Sequence, residues 1–362
     1  MSILWFLIAL VVLVWLVTHF VLGGPDLRKY DSPAPKLYSN EPPSAFHQEA
    51  VNDLHEMHRE LSAGGKADLK ARVMKMRKIM DDLGAKADLS GITLTPTTAN
   101  GVPAEWVQVD GVETSRRLLY LHGGAFYAGS PGSHRSITAA LARVTRSAVL
   151  VVDYRLLPEH KRFDGVADCQ SAYRWILDNG PNGQSPADEL LMAGDSAGGN
   201  LVLMVSNWAR DQGMRQADAV IALSPATDGT VSGPSLQSNV ATDPMLGPSI
   251  GKLLKAPRGV VLWYFLLSNK ALPSDPRLSP IHDDLANLPP TLIHVSKAEM
   301  LYDDAVRFTN KAVAAGSPVT LQVWPHTVHV WHFYHPNMPE AIAAFAAIEQ
   351  FVEGALARKQ SQ

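Results

Sequence analysis

Ser196 sits in the stretch Gly194-Asp195-Ser196-Ala197-Gly198-Gly199-Asn200. A serine hydroxyl is a weak nucleophile until a neighbouring base takes its proton, and that base needs a third group to hold its tautomer. Gly194 and Gly198 fit the Gly-x-Ser-x-Gly turn, in which a sharp strand-to-helix reversal lifts the serine into an exposed, strained position. The apolar run at 190–193 reads as the strand, and residues 201–208 read as the helix. Asp and Ser also favour helix N-caps, so this stretch alone does not define a site. The rest of the chain must supply a base, an acid and a place for a developing anion.

In hydrolases built on such a turn the acid and the histidine follow the serine in that order. Glu299 lies four residues past an apolar run ending at Val295, where a loop acid is expected. Asp303 and Asp304 come next, at the start of a predicted helix, where the helix dipole accounts for an acid. The base should follow the last strand, and His326, His329, His332 and His335 all lie there at spacing three. Four histidines at that spacing rotate around a helix and cannot all face one ion, and no His-Glu-x-x-His pattern is present, which disfavours a metal site. His326, His329 and His332 therefore compete for the role of base. Anion stabilisation points to His122-Gly123-Gly124-Ala125, directly after the run 118–121. The backbone N–H groups of Gly123 and Gly124, with that of Ala197, would form the oxyanion hole.

These groups need a scaffold. Apolar runs at 106–109, 118–121, 148–152, 190–193, 219–223, 291–295 and 319–323 alternate with helical patterns. Near-continuous apolar strands of this kind predict an α/β fold, with a mostly parallel sheet covered by helices on both faces. Residues 226–280 interrupt the alternation with Gly, Pro and Ser around the apolar piece 260–267, which is too short to span a bilayer and predicts an insertion covering the site. Helical stripes at Val51, Leu54, His55, His58 and Leu61, and at Leu69, Val73, Met76, Met80 and Leu83, predict two N-terminal cap helices within 45–90. The expected organisation is an anchor at 1–23, a Pro-rich extended linker at 24–44, the cap at 45–90 and a catalytic domain at 91–362.

Residues 2–22 carry no formal charge, enough apolar length for one transmembrane helix. No Lys or Arg precedes this core and no small-x-small cleavage site follows it, so a retained anchor is expected and not a signal peptide. Arg28 and Lys29 follow it and would place the catalytic domain in the cytoplasm. The formal net charge of −3, without a basic stripe, argues against a nucleic-acid partner. Cys169 is the lone cysteine, which excludes an intrachain disulfide and a cysteine zinc cluster. No signal for an oligomeric state is present.

The segments HGGAFYAGSPGSHR (122–135), VDYRLLPEH (152–160), GDSAGGN (194–200), LSPATD (223–228), 274–304 and PHTVHVWHFY (325–334) together resemble the hormone-sensitive lipase-like family of α/β-hydrolases, also called α/β-hydrolase fold-3. The resemblance runs from about Leu118 to Phe333. It implies an α/β-hydrolase fold with a helical cap, Ser196 as nucleophile, Glu299 as acid and His329 as base. Gly123, Gly124 and Ala197 match the family's oxyanion donors. Ala125 replaces the usual third glycine, and Ser296-Lys297-Ala298 replaces a glycine-containing turn, which keeps Asp303 a rival to Glu299. The implied activity is hydrolysis of small-molecule carboxylic esters of short to medium acyl chains through an acyl-enzyme, without metal or organic cofactor. A deacetylase, amidase or lactonase could use the same triad, and some relatives are non-catalytic binding proteins.

Overall fold

The computed structural model describes residues 2–63 and 68–360. Met1 of the expected anchor, residues 64–67 of the expected cap and the polar residues 361–362 lie outside the described residues. The chain begins with α1 (Ser2–Leu16), continued by a π-helical turn, Val17–Leu22. Then come α2 (Ala45–Ser62) and α3 (Leu69–Gly84), the hairpin strands β1 (Ile92–Ala99) and β2 (Val102–Val109), β3 (Arg116–Leu121), α4 (Arg135–Thr145) and β4 (Ala148–Val152). Helix α5 (Arg162–Asp178) leads to a short hairpin, β5 (Asn179–Gly180) and β6 (Gly183–Gln184), then to β7 (Glu189–Asp195), α6 (Ala197–Asp211) and β8 (Ala219–Leu223). The insertion carries α7 (Ser235–Ser238), α8 (Ile250–Leu253) and α9 (Arg258–Asn269). The chain closes with β9 (Thr291–Ser296), α10 (Tyr302–Ala314), β10 (Val319–Trp324) and α11 (Pro339–Gln360).

The main sheet has eight strands in the order β1-β2-β4-β3-β7-β8-β9-β10. In this sheet β1 pairs with β2 and β2 with β4 antiparallel; from β4 through β10 every pairing is parallel. Every residue of β4 and β8 is buried, as strands covered on both faces must be. One face packs against α5, α6 and α10 through residues such as Cys169, Leu201 and Phe308. The other packs against α4 and α11 through Ile137, Leu141, Phe345, Ile348 and Val352. Each of these large apolar side chains contributes about 1.5–3 kcal/mol by leaving water. Strand order reverses around β3, whose successor β4 lies on one side while β7 lies on the other. Ligand crevices in open α/β sheets form at such a switch point, beyond the carboxyl ends of the strands.

The edge hairpin extends the sheet beyond the apolar runs. Strand β1 alternates exposure along Thr-rich sequence and β2 begins at Val102, four residues before the run at 106. The Pro-rich segment 24–44 is not extended throughout, since Arg28–Tyr30 forms a 3-10 turn, and it does not hang free. Tyr38 donates its backbone N–H to Val323 O on β10, Asp31 Oδ1 accepts from Arg307 Nε at 2.6 Å, and Asn310 Nδ2 donates to Tyr30 O and Pro33 O. The cap helices α2 and α3 sit beside the loops that follow the strands. Ala50 and Leu54 of α2 pack with Trp324, Val328 and Trp331, while α3 backs the turn Gly132–His134.

Candidate active site

Ser196 caps α6 with φ 52° and ψ −114°, a strained combination for a residue with a side chain. The turn is held by Ser196 N–H donating to Leu223 O at 2.7 Å, and Gly198 packs so closely on the Leu121 and His122 carbonyls that a Cβ there would overlap them. Buried neighbours surround Ser196, which is itself only partly buried.

Its Oγ lies 2.9 Å from His329 Nε2, and His329 Nδ1 lies 2.8 Å from Glu299 Oε2. The loop after β10 carries His329, and the loop after β9 carries Glu299. Val330, with φ 49°, donates its N–H to Ser224 Oγ, which turns the histidine loop toward β8. Both His329 and Glu299 are buried, at 2% and 1% exposure. Burial alone would depress His329, but the hydrogen bond and charge of Glu299, with Asp243 and Asp195 farther off, outweigh it and raise the imidazole above its ordinary value. Burial likewise raises the Glu299 carboxyl, against the hydrogen bond from His329. Such an arrangement favours a proton on His329 once one is delivered to it.

The other candidates have different partners. Asp304 is buried and accepts from the backbone N–H groups of Thr227 and Asp228, while Asp303 accepts from Ser235 N–H, so both acids hold the start of the insertion. Burial and the neighbouring Asp228 raise the Asp304 carboxyl above its ordinary range. His326 is exposed, and His335 packs its ring against Phe345 at 4.9 Å. His332 is buried and bonds His294, Nε2 to Nδ1, at 3.0 Å. Among the described residues no cluster of His, Cys, Asp and Glu could hold a metal ion.

One expected oxyanion donor is placed differently. Gly123 N–H donates to Asp195 Oδ1 at 2.9 Å and also approaches His134 Nε2, so it is already committed inside the protein. The reason is Asp195, whose buried carboxylate also accepts from Tyr120 OH at 2.5 Å and needs these donors to stay ionised. Burial raises this acid, but His134, Tyr120 and Gly123 together bring it below its usual value. Gly123 therefore braces the loop and is not a donor to the site. The chain then turns through positive φ at Gly124 (111°), Ala125 (54°) and Phe126 (66°). The N–H groups of Gly124, Ala125 and Ala197 have no hydrogen-bond acceptor among the described residues. Ala197 is the first residue of α6, where the helix dipole adds to the attraction for an anion.

Several supporting residues carry no chemical motif of their own. Asp243, deep in the insertion, accepts from Met300 N–H at 2.9 Å and so steadies the residue after Glu299. Asn200 accepts from Arg162 and donates to Ala226 O and Leu278 O, and the Arg162 guanidinium stacks on Phe126 at 3.2 Å. Arg77 of α3 reaches Tyr127 O at 2.8 Å, Leu157 O at 2.9 Å and both Glu159 carboxylate oxygens, tying α3 to the loops after β3 and β4. The one sequence trace of Arg77 is a basic residue on a cap helix, where solvent exposure is the ordinary expectation.

Residues 118–333 match a protein family described as alpha/beta hydrolase fold. An acetyl-hydrolase of Streptomyces hygroscopicus is 37% identical over 258 residues, covering 71% of this chain and 82% of that protein. The carboxylesterase/phospholipase LipF of Mycobacterium tuberculosis is 34% identical over 276 residues, covering 74% and 70%. Among solved structures, EstE5 soaked by p-nitrophenyl butyrate superposes with a TM-score of 0.74 at 36% identity, covering 87% of this chain and 99% of that one. An esterase from the bacterial hormone-sensitive lipase family superposes with a TM-score of 0.72 at 33% identity, covering 85% and 98%.

Proposed function

The chain belongs to the hormone-sensitive lipase-like family of α/β-hydrolases, and from that premise we propose that Ser196, His329 and Glu299 carry its chemistry. It is a carboxylic ester hydrolase of the serine esterase type. The observation that supports the assignment of residues is the continuous line from Ser196 Oγ through His329 to Glu299 Oε2, at 2.9 and 2.8 Å.

In the forward step His329 Nε2 takes the Ser196 proton as Oγ attacks the ester carbonyl carbon. The carbonyl oxygen becomes an oxyanion between the N–H groups of Gly124, Ala125 and Ala197, donors already fixed before the charge appears. Glu299 holds the Nδ1 proton and balances the imidazolium. The tetrahedral intermediate expels the alcohol, which takes the proton back from Nε2, and leaves an acyl ester on Ser196. Water then repeats the sequence, with His329 again as base, and releases the carboxylic acid. No metal or organic cofactor enters any step.

Short to medium acyl chains are the proposed substrates, in keeping with relatives named acetyl-hydrolase and carboxylesterase. The stretch Ile3–Leu22, with mean hydropathy 2.6, is proposed to be a retained membrane anchor with the catalytic body on the cytoplasmic side. It is the one helix among the described residues long and apolar enough to cross a bilayer, a test that a signal sequence also meets.

The deciding measurement is turnover of p-nitrophenyl butyrate by wild type and Ser196→Ala. The variant should lose about 10⁶-fold in kcat, the scale of removing a triad serine. Retention of most activity would remove Ser196 from the mechanism. Mass spectrometry after a reactive phosphonate ester should find the adduct on Ser196 in the wild type alone.

A further inference from the structure

Helix α9 has two unlike sides. Val261 and Leu262 are buried, whereas Val260, Tyr264 and Leu267, at spacing i, i+4 and i+7, are 58%, 54% and 71% exposed. The flanks are basic: Lys252, Lys255, Arg258 and Lys270 are exposed, and no acidic residue occurs between Asp243 and Asp275. An apolar stripe bordered by cations is the pattern of a helix lying in the plane of an anionic lipid surface.

Position supports the same reading. Trp263 Nε1 donates to Thr18 Oγ1 at 2.7 Å, and Arg258 Nη2 donates to Gly23 O at 3.0 Å. Helix α9 is thus fastened to the last turns of the apolar N-terminal helix. Thr18 lies five residues before Gly23, so along a helix it is about 6–8 Å deeper if Gly23 marks the membrane boundary. Interfacial helices settle at about 5–10 Å. If residues 3–22 cross a bilayer, the exposed stripe of α9 is carried into the headgroup and upper acyl region. Arg258, at the level of Gly23, stays at the water boundary.

Helix α9 also approaches the loop that presents the proposed oxyanion donors. The Tyr264 phenol faces that of Tyr127, and burial together with Tyr264 raises the Tyr127 hydroxyl to about 12. Tyr127 follows the positive-φ turn at Gly124, Ala125 and Phe126 that presents the proposed oxyanion donors.

We propose that α9 is a second membrane contact, embedded in an anionic leaflet beside the anchor, which turns the mouth of the site toward esters dissolved in the bilayer. This rests on the anchor reading given above. The occupant of the exposed stripe is lipid, because α9 is fastened at Thr18 and Gly23 to the proposed anchor, whose neighbouring Phe20 and Val21 are themselves apolar and exposed.

The test uses the full chain in vesicles of phosphatidylcholine alone or mixed with phosphatidylglycerol. A nitroxide is placed at Leu267→Cys, at Leu10→Cys in the anchor, or at Val313→Cys on α10, each with Cys169→Ser. Collisions with oxygen and with a water-soluble nickel chelate then report depth. The expected result is lipid exposure at 10, interfacial immersion at 267 that deepens with phosphatidylglycerol, and water exposure at 313. Water exposure at 267 with lipid exposure at 10 overturns the α9 proposal and leaves the anchor standing. Water exposure at both overturns the anchor and the proposal with it. Immersion indifferent to phosphatidylglycerol overturns the anionic preference. The double variant Val260→Glu with Leu267→Glu should keep wild-type kcat/KM on a water-soluble ester and lose about tenfold or more on an ester dissolved in vesicles. Equal activity on both substrates overturns the proposed orientation of the site, whereas loss of the soluble activity in wild type would overturn the esterase assignment itself.

Discussion

Asp195 Oδ1 accepts the backbone N–H of Gly123 at 2.9 Å, joining the residue before the proposed nucleophile to the loop that presents the proposed oxyanion donors. One buried carboxylate therefore sets the spacing between two elements that belong to different strands, β7 and β3. In the proposed mechanism the acid next to Ser196 is a positioning residue, bonded to Gly123 and Tyr120 and not to His329.

Asp195→Ala should lower kcat by about 10²-fold with a smaller change in KM, since misplacing an oxyanion donor costs about as much as losing one. Asp195→Asn keeps an acceptor for Gly123 N–H and should recover part of that loss. Steady-state kinetics on a soluble ester, with circular dichroism to verify folding, separates the two. Unchanged kcat in Asp195→Ala would show that the loop holds its shape without the clamp.

Gly124 adopts φ 111°, and a Cβ there would run into the Ala128 carbonyl. Gly124→Ala is expected to cost about 1–3 kcal/mol in stability and to reduce kcat by about 10²–10³-fold. Thermal unfolding and single-turnover acylation measure the two effects independently.

The pH profile should carry the signature of Glu299. In the proposed mechanism neutral His329 is the base, so kcat/KM should fall as pH drops through its pKa, which lies above the ordinary histidine value. Glu299→Gln removes the charge that raises it, so the acid limb should move to lower pH while the plateau falls. A limb that stays in place would mean that another group controls the protonation of His329.

Arg77→Ala removes donors to Tyr127 O, Leu157 O and Glu159 at once. The expected cost is about 1–3 kcal/mol, with faster amide exchange in α3 than in the sheet. Arg77→Lys should restore little, because an ammonium cannot span the same fork of acceptors. Equal exchange in variant and wild type would release α3 from this dependence.

The parallel core was legible because most of its strands are near-continuous apolar runs, such as 148–152 and 219–223. The edge hairpin was harder to see: β1 reads Ile-Thr-Leu-Thr-Pro-Thr-Thr-Ala, with little apolar contrast and a proline that only an edge strand tolerates. Serine, acid and histidine were readable as positions after strands, but the histidine was one of four. Spacing could not tell a His329 aimed at Ser196 from a His332 paired with His294. The direction of the Gly123 N–H was not legible either. It depends on where a buried Asp195 finds its donors, and that is settled by packing across the sheet.

The stretch 24–44 has one more consequence. As a free coil of about twenty residues it would span about 25 Å on average and let the body tumble on a leash. With Tyr38 on β10 and Asp31 on Arg307, it works as a strut. Deleting two or three residues from it should therefore not shorten a reach. It should pull Tyr38 out of register with Val323 and change the tilt at which the whole body is mounted.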